Sequence, residues 1–424
     1  MRRLAGAFLG LLTTASMAWT AEPADVVSKT WSITAASEVR YFSWTSDRGS
    51  PPTVGTAAGS GSQIYVPFAV QLTGKPTEDV KVQILGRGGW VRSQQDTNGL
   101  SGAVETITDT VVSGTFTYLG LNGIQPFVSV NVNAPTGTSA LFGGAANARM
   151  DSDLVEIGSF GEGWNIGPTA GFNLPITASL MFTGSVGYTW RGRFDRERSS
   201  AETDPTKQTP TTLNPGDVIT GTASLGYQGA PWAWSVTATV SEETATNENG
   251  MSLYRAGRRY LGTANVAYSW PDRWGQTTVS AAAAHSNRND VLFLGVPALI
   301  TEIVNTNSNL YRVAVQHLIP VGDTFAFGPT GSYLHRNNNA YVPATLQFVP
   351  AKDRWAAGGQ ARYAASRNVT LNARGEYIWT HEDERLAING TQFSVLANAF
   401  VAGSAVPVVS STGWMISGGA NVTY

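Results

Sequence analysis

The sequence predicts an all-β chain closed into a transmembrane antiparallel β-barrel, and three observations predict it. The composition is the first. Only 14% of the 424 residues are charged, against about 25% in ordinary soluble domains, while Gly numbers 46, Trp 13 and Tyr 14. Periodicity is the second, because segment after segment alternates apolar and polar side chains with a period of two, the repeat of a strand. The third is that Trp or Tyr often stands at the ends of the apolar faces, where rings settle at the two bilayer interfaces. Cysteine is absent, which removes any disulfide framework, thiolate nucleophile or Cys-based metal site. A net charge of −2 and a pI near 6.1 give no reason to expect nucleic acid.

The elements follow in chain order. Arg2 and Arg3 precede the short apolar run Leu4 to Leu12, and Ser16-Met17-Ala18 supplies small residues for cleavage. Residues 1–18 therefore read as a secretory signal peptide, 19–30 as a short periplasmic segment and 31–424 as the barrel. The run is too short for a bilayer anchor, which needs about 20 apolar residues. About twelve residues between signal and first strand leave no room for a plug or passenger domain.

The strand faces are explicit. Leu180, Phe182, Gly184, Val186, Tyr188 and Trp190 oppose Thr183, Ser185, Thr189 and Arg191. Trp232, Trp234, Val236, Ala238 and Val240 oppose Ser235, Thr237, Thr239 and Ser241, and the pattern returns at 260–270, 354–363, 369–379 and 414–424. Backbone groups in lipid must be paired, so such a sheet has to close. Short turns are expected at 74–79, 120–124, 174–177, 229–231, 271–275, 320–323 and 366–368. Longer loops alternate with them at 46–61, 95–102, 134–163, 192–214, 246–257, 289–306, 338–352 and 383–411. These 15 connections give 16 strands with both termini on the short-turn side, and 14 strands are also compatible.

Tyr424 ends the chain as an aromatic on the lipid-facing register. It resembles the C-terminal signal read by the outer-membrane assembly machinery, although Phe is the usual residue. On these grounds the mature chain resembles bacterial outer-membrane β-barrels, and the resemblance implies residence in that membrane among lipid and lipopolysaccharide. The segment from Ile124 to Asp195, with its phrases PFVSVNVNAPTG, FGEGWNIGP and GYTWRGRFDR, is similar to outer-membrane proteins of phenol and hydrocarbon degradation pathways.

Catalytic chemistry is not expected. Outer-membrane lipases and deacylases place a His and a Ser two apart on one strand face, whereas the only close pair among His285, His317, His335 and His381 is His285-Ser286, whose side chains point to opposite faces. His381-Glu382-Asp383-Glu384-Arg385 lacks the second His of a zinc helix, and Asp151-Ser152-Asp153 lacks the glycine of a calcium loop. No catalytic residue, metal ligand or cofactor is assigned.

The polar register instead turns Arg40, Lys81, Arg87, Arg191, Arg312, Arg354, Arg362 and Arg374 inward, against the acids Glu38, Asp109, Glu243 and Glu376. Charges are costly on the lipid face, and a basic wall favours anions. The loop at 134–163 follows strand five. Trimeric general porins carry a long loop there that folds into the pore, and by this resemblance Asp151, Asp153, Glu156 and Glu162 form an acidic rim facing the arginines, and a homotrimer is a compatible assembly. Three outer loops, 291–300, 341–350 and 393–409, are unusually apolar; they either pack as a lid or admit hydrophobic solutes. The expected function is passive uptake of small solutes through an anion-biased channel. The alternative is transport of small hydrophobic or aromatic compounds, and an outer-membrane enzyme stands third.

Overall fold

The computed structural model describes residues 31–47, 58–97, 100–196, 211–271, 273–292, 298–345, 347–386, 388–394, 399–403, 405 and 407–424. The expected signal peptide and the segment 19–30 lie outside the described residues, as do most of the loop at 46–61 and parts of the three apolar loops.

Sixteen strands close into one antiparallel barrel. They are β1 (Trp31–Ser46), β2 (Gly59–Thr77), β3 (Val80–Thr97), β4 (Leu100–Ile107 continuing as Thr110–Tyr118), β5 (Gln125–Ala134), β6 (Asn165–Pro175), β7 (Leu180–Arg191) and β8 (Val218–Gly229). The second half comprises β9 (Trp232–Glu243), β10 (Arg259–Ser269), β11 (Gln276–Ser286), β12 (Leu310–Val321), β13 (Phe325–Arg336), β14 (Lys352–Ala364), β15 (Val369–Glu382) and β16 (Val409–Thr423). Each strand pairs with its neighbours in sequence. β16 returns to β1 in continuous register from Thr34↔Thr423 to Ser46↔Ser411, so the barrel itself has no open edge.

The faces separate as the alternation requires. Val186, Trp190 and Ile416 are 64%, 47% and 54% exposed on the outside, while Thr183, Thr222 and Ser224 turn inward and bond to Asn173, Thr239 and Thr237. Outward rings meet across strands in two belts. Tyr333, Trp355 and Trp379 adjoin near the long loops, and Trp232, Tyr268 and Trp270 near the short turns. Among the described residues no helix is long and apolar enough to cross a membrane, and the strands do the crossing. An outer surface of aliphatic residues between two aromatic belts makes this a transmembrane barrel.

The connections differ from expectation in one place. β3 and β4 stay paired up to Thr97 and Leu100, so the long loop expected at 95–102 is a tall hairpin. Its inner face packs on a folded-in loop, which extends the useful pairing beyond the bilayer. Above β7–β11, the outer loops form a second, six-stranded sheet from the short strands Phe194–Arg196, Thr211–Asn214, Thr246–Glu248, Met251–Arg255, Asp290–Leu292 and Leu299–Thr301. Asp290 ties two of its strands by accepting from Arg255 Nε at 2.7 Å and Thr301 Oγ1 at 2.6 Å. In this way the ends of the first apolar loop pair as a hairpin; its middle, 293–297, lies outside the described residues. In the second, Phe348 is buried while Val342 stays exposed. The third forms the hairpin Ile388–Ser394 with Ala399–Gly403.

Candidate functional site

A barrel of sixteen strands is too wide for wall side chains to fill. The residues between β5 and β6 occupy part of the space. Their backbone runs inward, makes a short 3₁₀ helix of two turns at Gly143–Ala148 and returns to Asn165.

Local chemistry fixes the neck of this loop. Between the two halves of β4, one extra residue enters the strand: Val91 pairs with Thr106, but Arg87, four residues away, pairs with Val111, five away. This is a β-bulge, and it re-aims Asp109. The Asp109 carboxylate accepts from Gly137 N at 2.9 Å, Glu162 N at 2.7 Å and Asn133 Nδ2 at 2.9 Å, so it holds both legs of the loop. The legs touch at glycines, and a Cβ on Gly137 would lie 1.9 Å from the Phe160 carbonyl oxygen. Asp109 was expected to be an acid of the wall; it is the clasp of the loop.

Beyond the neck the loop lies on the inner face of β1–β4. Met150, Leu154 and Val155 pack with Phe42 and Trp44 of β1, and Leu141 and Phe160 pack with Val91 of β3. Gln63 bridges Ser93 at 2.7 Å and both polar groups of the Ile157 peptide, its amide donating to the carbonyl and its oxygen accepting from the N–H. Gly102 is required by the close approach of the 3₁₀ turn, because a Cβ there would sit 2.5 Å from the Asn147 carbonyl carbon.

The loop tip reaches the opposite wall. Lys352 at the start of β14 is 6% exposed and contacts Asp151 at 2.5 Å, Asp153 at 3.1 Å and Glu382 at 3.3 Å. Burial pushes the Asp151 carboxyl up, but the Lys352 ammonium and the Asp153 N–H outweigh it and hold the group below the usual carboxylate range. Arg354 Nε donates to the Asp153 carbonyl at 2.8 Å, and Arg40 binds both Glu156 and Glu38. The loop thus spans from β1 to β14 and narrows the lumen.

The expected residues fall into three groups. Arg40, Arg312, Arg354 and Arg374 gather around the loop with Asp151, Asp153 and Glu156. Arg191 belongs to the outer rim, 3.7 Å from Glu243, which also meets Arg259 at 3.4 Å. Arg87 stands beside Tyr65, while Lys81, opposite Thr117, and Arg362, opposite Asn372, lie toward the short turns. Glu162 sits at the neck, where its N–H serves Asp109. Tyr424 exchanges backbone hydrogen bonds with Ile33 and points outward. His285 stacks outward on Tyr260, and Ser286 faces the other way.

Lys352 is not among the residues the sequence singles out: it shares the inward register of Arg354 and Arg362 but stands at the edge of the expected loop 338–352, where alternation gives no signal. The inward register alone counts wall cations against wall acids. With the loop in place its acids join the lumen, and the asymmetry lies in pairing instead. Glu376, 4% exposed, is taken by Arg374 at 2.6 Å and Thr330 at 2.7 Å, while among the described residues Arg312 and Arg354 pair directly with no carboxylate. The inner wall from β7 to β9 is neutral between its rims, with Thr220, Thr222, Ser224, Thr237, Thr239 and Ser241.

No family model matches the chain, and no curated protein matches it. Solved structures do resemble it in shape. An anion-selective porin from Comamonas acidovorans is 11% identical, with 93% of this chain and all of that one covered at a TM-score of 0.40. A Pseudomonas aeruginosa FadL homologue is 10% identical, with 93% and 90% covered at 0.42. A TodX mutant described as a monoaromatic hydrocarbon channel is 10% identical, with 93% and 91% covered at 0.41. At these scores the likeness carries no functional argument, and function has to be argued from the lumen.

Proposed function

We propose that this protein is a passive channel of the bacterial outer membrane that admits small water-soluble solutes and favours anions. The observation that carries this reading is a polar lumen narrowed by an inward loop and bordered by Arg312 and Arg354, which among the described residues pair directly with no carboxylate. Guanidinium groups at a constriction with hydrogen-bond donors to spare raise local anion concentration and lower the barrier to anion entry. The neutral hydroxyl wall offers hydrogen bonds without trapping charge. Outer-membrane placement rests on the apolar belt and on closure of the sheet, with bilayer lipid and lipopolysaccharide as neighbours. Removal of residues 1–18 by signal cleavage, recognition of Tyr424 by the assembly machinery and a homotrimeric state belong to the same proposal.

Planar-bilayer recording of refolded protein under a salt gradient tests it. A steady ohmic current with an anion-selective reversal potential is expected; a cation-selective potential, or silence from verified barrels, refutes it. A second reading, uptake of hydrophobic compounds, draws on exposed Ile303, Val342 and Leu386 near the long loops. It predicts binding of a monoaromatic compound by the silent barrel.

A further inference from the structure

Arg312 and Arg354 share one row of the inner wall. Arg312 pairs in register with Leu334 of β13, and Leu334 pairs with Arg354 of β14. One strand therefore separates them, and two inter-strand spacings make about 10 Å at the backbone, well within the combined reach of two arginine side chains. Leu334 between them is buried and apolar. Arg374 approaches from β15. Arg312 stands in the field of Arg374 and of the acids Glu376, Asp153 and Glu156, and Arg354 in that of Arg312 and Arg374 and of Asp153 and Glu376.

The nearby acids are already taken. Asp153 serves Lys352, Glu156 serves Arg40, and Glu376 serves Arg374 and Thr330. Arg354 gives its Nε to a neutral carbonyl, and no hydrogen-bond partner of Arg312 occurs among the described residues. Two further donors are buried without partners, Arg374 Nε and Gln360 Nε2, on residues directly paired across β14 and β15. Like charges gathered with idle donors are costly unless an anion joins them. The guanidinium fork fits a carboxylate or phosphate with two parallel hydrogen bonds, and chloride cannot use that geometry.

We propose that Arg312, Arg354 and Arg374, with Gln360 beside them, form a saturable binding site for the oxyanion group of a permeating solute, a carboxylate or a phosphate. This site rests on the channel reading and adds to it a stopping point at the constriction. A solute bearing such a group would pause there, displacing chloride, and leave by exchange with the next anion.

The test is titration of inorganic phosphate, and separately of acetate, against the chloride current of single channels in a planar bilayer. Saturable, concentration-dependent reduction of the current by either anion is expected, and the stronger blocker identifies the preferred head group. Arg312→Gln and Arg354→Gln should each raise the half-blocking concentration about tenfold or more, the effect of losing one charge-assisted hydrogen bond. Arg312→Lys should give an intermediate value, because charge remains and the fork is lost. Arg362→Gln, lower on β14, should leave block unchanged. Chloride current that neither anion reduces, or block equal in Arg312→Gln and the parent, overturns the site while leaving the channel standing. Silence of folded barrels refutes the channel instead. In that case calorimetric titration of phosphate into the detergent-solubilised protein decides the site, with absence of an Arg312-dependent signal counting against it.

Discussion

Lys352→Met is the substitution that most directly tests how the loop is held across the lumen. The ammonium is 6% exposed and faces three carboxylates at 2.5, 3.1 and 3.3 Å. At that burial solvent screening gives little relief. Removing one partner of a buried ionic cluster leaves uncompensated charge and costs about 3–5 kcal/mol. At about 1.4 kcal/mol per decade, the fraction of molecules with the tip of the loop released should rise a hundredfold or more. The chain contains no cysteine, so a single Val155→Cys reporter is clean. Val155 is 2% exposed beneath the tip, packed with Phe42 and Trp44, and valine to cysteine is a small change in volume. The rate of its reaction with a water-soluble thiol reagent follows the released fraction. Labelling should accelerate about a hundredfold in Lys352→Met, and adding Asp151→Asn and Asp153→Asn should slow it again by removing the stranded charges. Arg273→Ala is the control, since its 4.0 Å contact with Asp323 is almost fully in water. A folded Lys352→Met barrel that labels at the parent rate would show that the apolar contacts with β1 and β3 hold the loop without the clamp.

Three other outcomes are expected. Deleting Ala140 to Ile157 should raise single-channel conductance severalfold, because it removes the segment between the β1 and β14 walls; an unchanged conductance in a folded barrel would place the narrowest point elsewhere. Replacing Arg354 and Arg362 with Glu should move the reversal potential toward cations, and a potential that stays put would show that ions avoid this wall. Acid should release the loop tip. The Asp151 carboxyl is held below its ordinary value, so its contribution to docking is complete above about pH 4 and is lost as pH falls through the lowered folded value. The Val155→Cys labelling rate, divided by that of a free thiol at the same pH to remove the thiol's own titration, should therefore be flat between pH 6 and 8 and rise only in strong acid, and a change in this ratio near neutrality would implicate another group.

The barrel was legible in the sequence because its rules are local. A strand alternates its faces residue by residue, lipid accepts only one of them, and an unclosed sheet cannot survive there. Leu180 to Trp190, Trp232 to Val240 and the turns between them read directly into walls and connections. Lumen positions were legible for the same reason, since Arg312, Arg354 and Arg374 fall on the inward register whatever their partners. Even the inward loop left a trace in its length and its acids.

Partnership was decided by tertiary structure alone. Asp109 has the register of a wall residue until one inserted residue turns it into the clasp of a loop whose ends lie 28 and 53 residues away. Lys352 meets Asp151 across 201 residues, and Arg40 meets Glu156 across 116. No spacing rule links such pairs, because their proximity depends on how the whole cylinder closes and where the loop lands on its inner surface. By itself the sequence determined that this chain spans a bilayer with a polar interior. Only the folded barrel decided which of the inward arginines meet a carboxylate directly and which, among the described residues, do not.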